Sequence, residues 1–126
     1  MQDPNEIIEI PLTNEERSLL VEGLLEWGGP AACTDKLAIA MGFESVDALF
    51  DESKKLRASL ENAQPLSRRD WTRVLMATEI VFISDIVGSG ADWQATTGFG
   101  DVETIQNLRQ LQRKLMKAGA LSSRSL

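Results

Sequence analysis

A chain of 126 residues has the length of one ordinary domain, because folding at this size already removes roughly two thirds of the chain's surface from water. Its 43% hydrophobic and 25% charged residues place it in the globular range, and its net charge of -6 opposes indiscriminate binding to nucleic acid or anionic lipid. With no His, no Tyr and a single Cys, there is no imidazole base or ligand, no Cys–His pair, no Ser–His–Asp relay and no disulfide within the chain.

The first eleven residues read as a polar arm with an apolar patch at Ile7, Ile8 and Ile10, stopped by Pro11. The segment from Met1 to Ile10 carries Asp3, Glu6 and Glu9 and lacks the basic start and apolar centre of a secretory signal. Thr13 and Glu16 form a capping box in front of Leu19, Leu20, Leu24 and Leu25 at helical spacing, and Gly28, Gly29 and Pro30 end that helix. Cys33 is expected to be a small packing residue, since no base is at hand to ionise it.

A short helix over 35–41 is capped by Thr34 and stopped by Gly42, and Ser45 caps the next. There Val46, Leu49, Phe50, Leu56, Leu60 and Ala63 make an apolar stripe weakened at Ser53, before Pro65 closes it. Ser67 with Asp70 caps the most hydrophobic helix, expected over 68–87, where Trp71, Val74, Leu75, Phe82 and Ile86 recur at three and four. Met76, Ile80 and Ile83 lie on its opposite side, so it is apolar nearly all round and is expected at the centre of the fold.

From Gly88 to Gly100 runs a glycine-rich loop longer than the usual connection, in which Gly88, Gly90, Gly98 and Gly100 permit positive φ angles. Asp101 is expected to cap a final helix using Val102, Ile105, Leu108, Leu111 and Leu115, ended by Gly119. Charge is unevenly distributed: residues 1–63 hold 13 acids and 5 bases, residues 64–126 hold 6 and 8, and no acid follows Glu103. Arg109, Arg113, Lys114, Lys117 and Arg124 would therefore meet any anionic surface.

The run Leu37-Ala38-x-x-Met41-Gly42-Phe43-x-Ser45, followed by Leu49 and Lys54-Lys55, has the spacing of a helix-turn-helix: a small residue where two helices touch, then a glycine turn. Over about twenty residues it resembles the turn of AraC-type regulators, which implies a second helix that reads DNA. Glu44, Asp47, Asp51 and Glu52 on that helix carry the wrong sign for phosphate contact.

Glu79 has Leu75, Met76, Phe82 and Ile83 as helical neighbours, so burial is expected, with an internal ion pair to Arg109 or Arg113 and Arg73 as another candidate. Glu79 and Asp85 sit about 120° apart around a helix and do not share a metal ion; Asp85 is read as an acceptor for loop amides. The loop itself is the candidate binding site, through Asp92, Trp93, Phe99 and Asp85, with an inward Trp93 pinning the loop or an exposed one anchoring an interface. Neither Gly-Ser-Gly nor Gly-Phe-Gly makes a phosphate loop, because the Lys is missing and Asp101 sits where an anion would bind.

The expected architecture is all-α: a single compact bundle of about five helices with the Gly-rich loop before the last, an arm at 1–11 and a frayed tail at 120–126. The expected function is a non-enzymatic protein-interaction or regulatory module, binding another protein or itself, in the cytoplasm and without cofactor, metal or membrane. A transcription-related helix-turn-helix domain is the alternative. A small enzyme with Glu79 or Asp85 as acid or base would need a pocket and a raised carboxyl pKa.

Overall fold

The computed structural model describes residues 2–29 and 31–122. Six α-helices are assigned there: α1 (Asn14–Leu25), α2 (Asp35–Ala40), α3 (Val46–Glu61), α4 (Arg68–Ile83), α5 (Trp93–Thr97) and α6 (Asp101–Lys117). The strands β1 (Ile7–Ile8) and β2 (Leu66–Ser67) pair antiparallel, with Ile7 opposite Ser67 and Ile8 opposite Leu66. The fold is thus mainly helical, a compact bundle with one strand pair tying the arm to the start of α4. No helix among the described residues is long and apolar enough to cross a membrane.

Local chemistry sets the helix starts. The Thr13 hydroxyl accepts the Glu16 N–H at 3.0 Å while the Glu16 carboxylate accepts the Thr13 N–H at 2.8 Å. Thr34, Ser45 and Ser67 each accept the N–H three residues on, satisfying a donor the helix leaves open, worth about 1 kcal/mol apiece. In α6 the cap is Gly100 rather than Asp101: Asp101 is already helical, and the Glu103 carboxylate accepts the Gly100 N–H at 3.0 Å. Helix α4 ends at Ile83, four residues short of the expected Val87, because Ser84 turns extended and its hydroxyl takes the N–H groups of Ile86 and Val87.

The core gathers Leu19, Leu20 and Leu24 of α1, Leu49, Leu56 and Leu60 of α3, Val74, Ala77 and Val81 of α4, and Leu111 and Leu115 of α6. All three tryptophans are buried, and each indole N–H joins distant segments: Trp27 to the Ala77 carbonyl, Trp71 to the Ile8 carbonyl, Trp93 to the Thr104 hydroxyl. Where α1 crosses α4, a side chain on Gly23 would lie 2.3 Å from the Thr78 hydroxyl, so only glycine permits that approach.

Several expectations are corrected. The stretch between Gly88 and Gly100 contains a 3-10 turn at Gly90–Asp92 and the short helix α5, and only Gly90 and Gly98 of its four glycines have positive φ. Val102 and Ile105, assigned to the buried side of the last helix, are 71% and 51% exposed, because Thr104 and Leu108 take the inward positions. Helix α4 is not covered on all sides: Met76 and Ile80 are half-buried and Ile83 is exposed. The tail does not fray from 120: Ala120 is buried, and Ser122 N–H donates to the Thr72 hydroxyl at 2.9 Å. Pro30 and residues 123–126, including Arg124, lie outside the described residues.

Candidate functional site

Trp93 points inward. Its ring is fully buried, edge-on to Phe82 at 5.5 Å between centroids and tilted against Phe99 at 6.2 Å, while its N–H reaches Thr104 at 3.0 Å. It therefore fastens the α4–α6 connection to the core and offers no contact surface. Phe99 is half-buried beside it, Asp92 is exposed, and Asp85 is exposed with its carboxylate accepting the Ala91 N–H at 2.9 Å. The four residues proposed for the loop do not converge on a ligand-sized space: Trp93, Phe99 and Asp85 pack or brace the connection, and the Asp92 side chain is exposed.

Glu79 is half-buried and forms no ion pair with Arg109, Arg113 or Arg73. The Gln112 side-chain amide donates to its carboxylate, and Arg109 donates to the Gln112 carbonyl at 2.7 Å, so a neutral amide stands between cation and anion. Arg73 is turned the other way, toward Glu52 at 2.9 Å and Asp70 at 2.6 Å, with its guanidinium 4.5 Å above the Phe43 ring. The pairing failed because Arg109 and Arg113 are exposed on α6, where solvation outweighs a partial desolvation against α4.

Glu79, Arg109 and Arg113 line an open feature of the surface. Helices α4 and α6 run antiparallel with Ile83 near Ile105, Glu79 near Gln112 and Thr72 near Ser122, and a groove lies between them. One end, about 600 Å³, is walled by Leu75, Met76, Met116 and Leu121; the other, about 320 Å³, by Phe82, Ile83, Ile105 and Leu108. Glu79, Arg109 and Gln112 are common to both. Ile83 at 71%, Ile105 at 51% and Met116 at 63% exposure present apolar surface to water along its length. Arg109 and Arg113, which line it, form no ion pair among the described residues, so the α6 side of the groove is positive on a chain of net charge -6.

A second concavity lies between Asn14, Glu15 and Ser18 of α1 and Glu103, Thr104 and Asn107 of α6, floored by Leu19 and Phe99. At about 200 Å³ it is below the roughly 300–1,000 Å³ of ordinary small-molecule sites, and two carboxylates rim it. Among the described residues, no group of three or more carboxylate or thiol side chains is placed to hold a metal ion. Burial, and then the Asp35 carboxylate, push the Cys33 thiol upward, away from nucleophilic use.

Sequence reasoning missed the charges that are buried. Glu16 is fully inaccessible and paired with Lys114 at 2.6 Å; Glu26 accepts from Ser89 at 2.7 Å and from Thr96; Arg68 binds the Asp3 and Gly119 carbonyls and Glu6. For Glu16 a signal was present, since Leu19 and Leu20 lie three and four residues on, the same criterion that singled out Glu79. The groove also had a signal, the second apolar side of α4. Comparison with family models, with curated proteins and with solved structures found no match.

Proposed function

We propose that the protein is a non-enzymatic interaction module, regulatory in the sense that it acts by occupying a partner, and that its docking surface is the α4–α6 groove. The observation that carries this reading is the alignment of Ile83, Ile105 and Met116, all exposed, along a concave seam bordered by the Arg109 and Arg113 guanidiniums, which pair with no carboxylate among the described residues. Exposed apolar side chains in a rimmed groove lose water-contacting area when a partner seats, at about 25 cal/mol per Å², and scattered surface aliphatics do not offer that gain. The site lies beside Trp93, not on it.

Photo-crosslinking tests the reading: a benzophenone amino acid is placed at Ile105, Met116 or, on α3, Lys54, and adducts are compared in cells. Adducts from 105 and 116 that disappear with Ile83→Glu, and none from 54, are expected. Equal adducts at all three positions, or none, refute the assignment.

One observation favours a second reading. Gly42 takes φ 99° between α2 and α3, Ala38 is fully buried at the contact, and the Asp35 carboxylate accepts the Val46 N–H at 2.9 Å, giving the tight corner that a helix-turn-helix needs. Glu44, Asp47 and Asp51 are exposed there, so phosphate contact rests on Lys54 and Lys55. A low-salt mobility shift that is steeply salt-dependent and lost with Lys54→Ala/Lys55→Ala would support this reading; no shift of genomic DNA fragments would remove it.

A further inference from the structure

We infer that the occupant of the groove is an acidic amphipathic helix of another protein, carrying two apolar anchors seven residues apart and a carboxylate three or four residues after the first. The inference rests on the groove being the docking surface. Its geometry follows from the walls. The two apolar ends share Glu79, Arg109 and Gln112 as a polar middle, and on α4 they are marked by Met76 and Ile83, seven residues and so about 10.5 Å apart. A helix lying along the seam repeats its face every two turns at that same rise, so positions i and i+7 fall over the two ends.

Charge selects what lies between the anchors. Among the described residues, Arg109 donates only to the neutral Gln112 and Arg113 has no polar partner, and the Glu79 carboxylate is already held by Gln112. A carboxylate at i+3 or i+4 of the incoming helix would meet two guanidiniums capable of paired hydrogen bonds against the single, Gln112-bound Glu79 carboxylate, whereas a lysine there would face two like charges for that one acid. A second copy of the chain fits less well. Superposing two grooves about a twofold axis brings four arginines together, and the other exposed large aliphatic and aromatic residues, Ile7, Leu25, Ile39, Phe50, Ile86 and Val102, include no pair seven apart on one helix.

The test is a displayed library of sixteen-residue alanine-based helices with randomised surface positions, selected on the intact protein and counter-selected on an Ile83→Glu/Ile105→Glu variant whose melting curve confirms that it folds. Enriched sequences are expected to converge on Leu, Ile or Met at i and i+7 with Asp or Glu at i+3 or i+4. An enriched peptide should bind at least tenfold more weakly to Arg109→Glu/Arg113→Glu, and a Glu→Lys change in that peptide should restore binding to this variant. Sequences that bind through Ile83 and Ile105 but lack the spacing or the acid overturn the inference and leave the docking surface standing. No enrichment over the counter-selected variant overturns both, and a groove-dependent dimer in sedimentation overturns the choice of occupant.

Discussion

Replacing Lys114 by Met isolates the most deeply buried charge among the described residues. Glu16 is fully inaccessible; one carboxylate oxygen receives the Thr13 N–H at 2.8 Å and the Lys114 ammonium at 2.6 Å, and its other oxygen has no partner. Without Lys114, a buried anion is left with one backbone donor. Orphaning a buried charge costs about 3–5 kcal/mol, and because the Lys114 side chain is 26% exposed the lower end, about 3 kcal/mol, is expected. Against a typical total of about 5–15 kcal/mol this is a large fraction, equivalent to a fall of roughly 10 °C in Tm. Urea unfolding followed by circular dichroism and by fluorescence of the three buried tryptophans measures it. The double variant Glu16→Gln/Lys114→Met keeps the acceptor for Thr13 and removes both charges, so it should recover to within about 1 kcal/mol of wild type. A Lys114→Met protein within about 0.5 kcal/mol of wild type would refute the reasoning, because a pair that weak behaves as a solvated surface contact.

Trp93→Phe removes the indole N–H that reaches Thr104 and should cost about 1–3 kcal/mol in the same unfolding assay; an unchanged midpoint would mean the connection is not fastened there. Ala63 holds φ 54° at the end of α3, a conformation costing a residue with a Cβ about 1–2 kcal/mol, so Ala63→Gly should stabilise by about 0.5–1 kcal/mol after glycine's larger unfolded-state entropy. Burial, and then the Glu26 carboxylate, raise the Glu22 pKa above its ordinary 4.5. The folded state therefore binds the proton more readily, and stability falls as pH rises from about 4.5 through the raised folded value. Glu22→Gln should raise Tm at pH 7, with the gain vanishing once the pH drops below the ordinary value; an equal gain at every pH would exclude charge as the cause.

The helix starts were legible because their causes are local. Thr13, Thr34, Ser45 and Ser67 each reach an N–H three residues away, a geometry that the chain contains before it folds. The same locality explains the two boundary errors, since Glu103 makes Gly100 the cap and the Ser84 hydroxyl closes α4 early, both short-range choices between near-equal alternatives. The α2–α3 corner, too, was readable from Gly42 and Ala38.

What tertiary structure alone decided was which side of each helix was covered. Lys114 finds Glu16 across 98 residues of chain, and Trp93 finds Thr104 only because α6 returns past α4, so neither pairing has a local signature. The sequence showed that α4 is apolar on two sides, but one helix neighbour fewer than that surface required leaves the half-buried Met76 and the exposed Ile83 beside Ile105 and Met116 in an open groove. Burial is a property of the number and placement of neighbours, which hydrophobic periodicity does not encode, and so the candidate site emerged at the flank where the bundle ran out of helices.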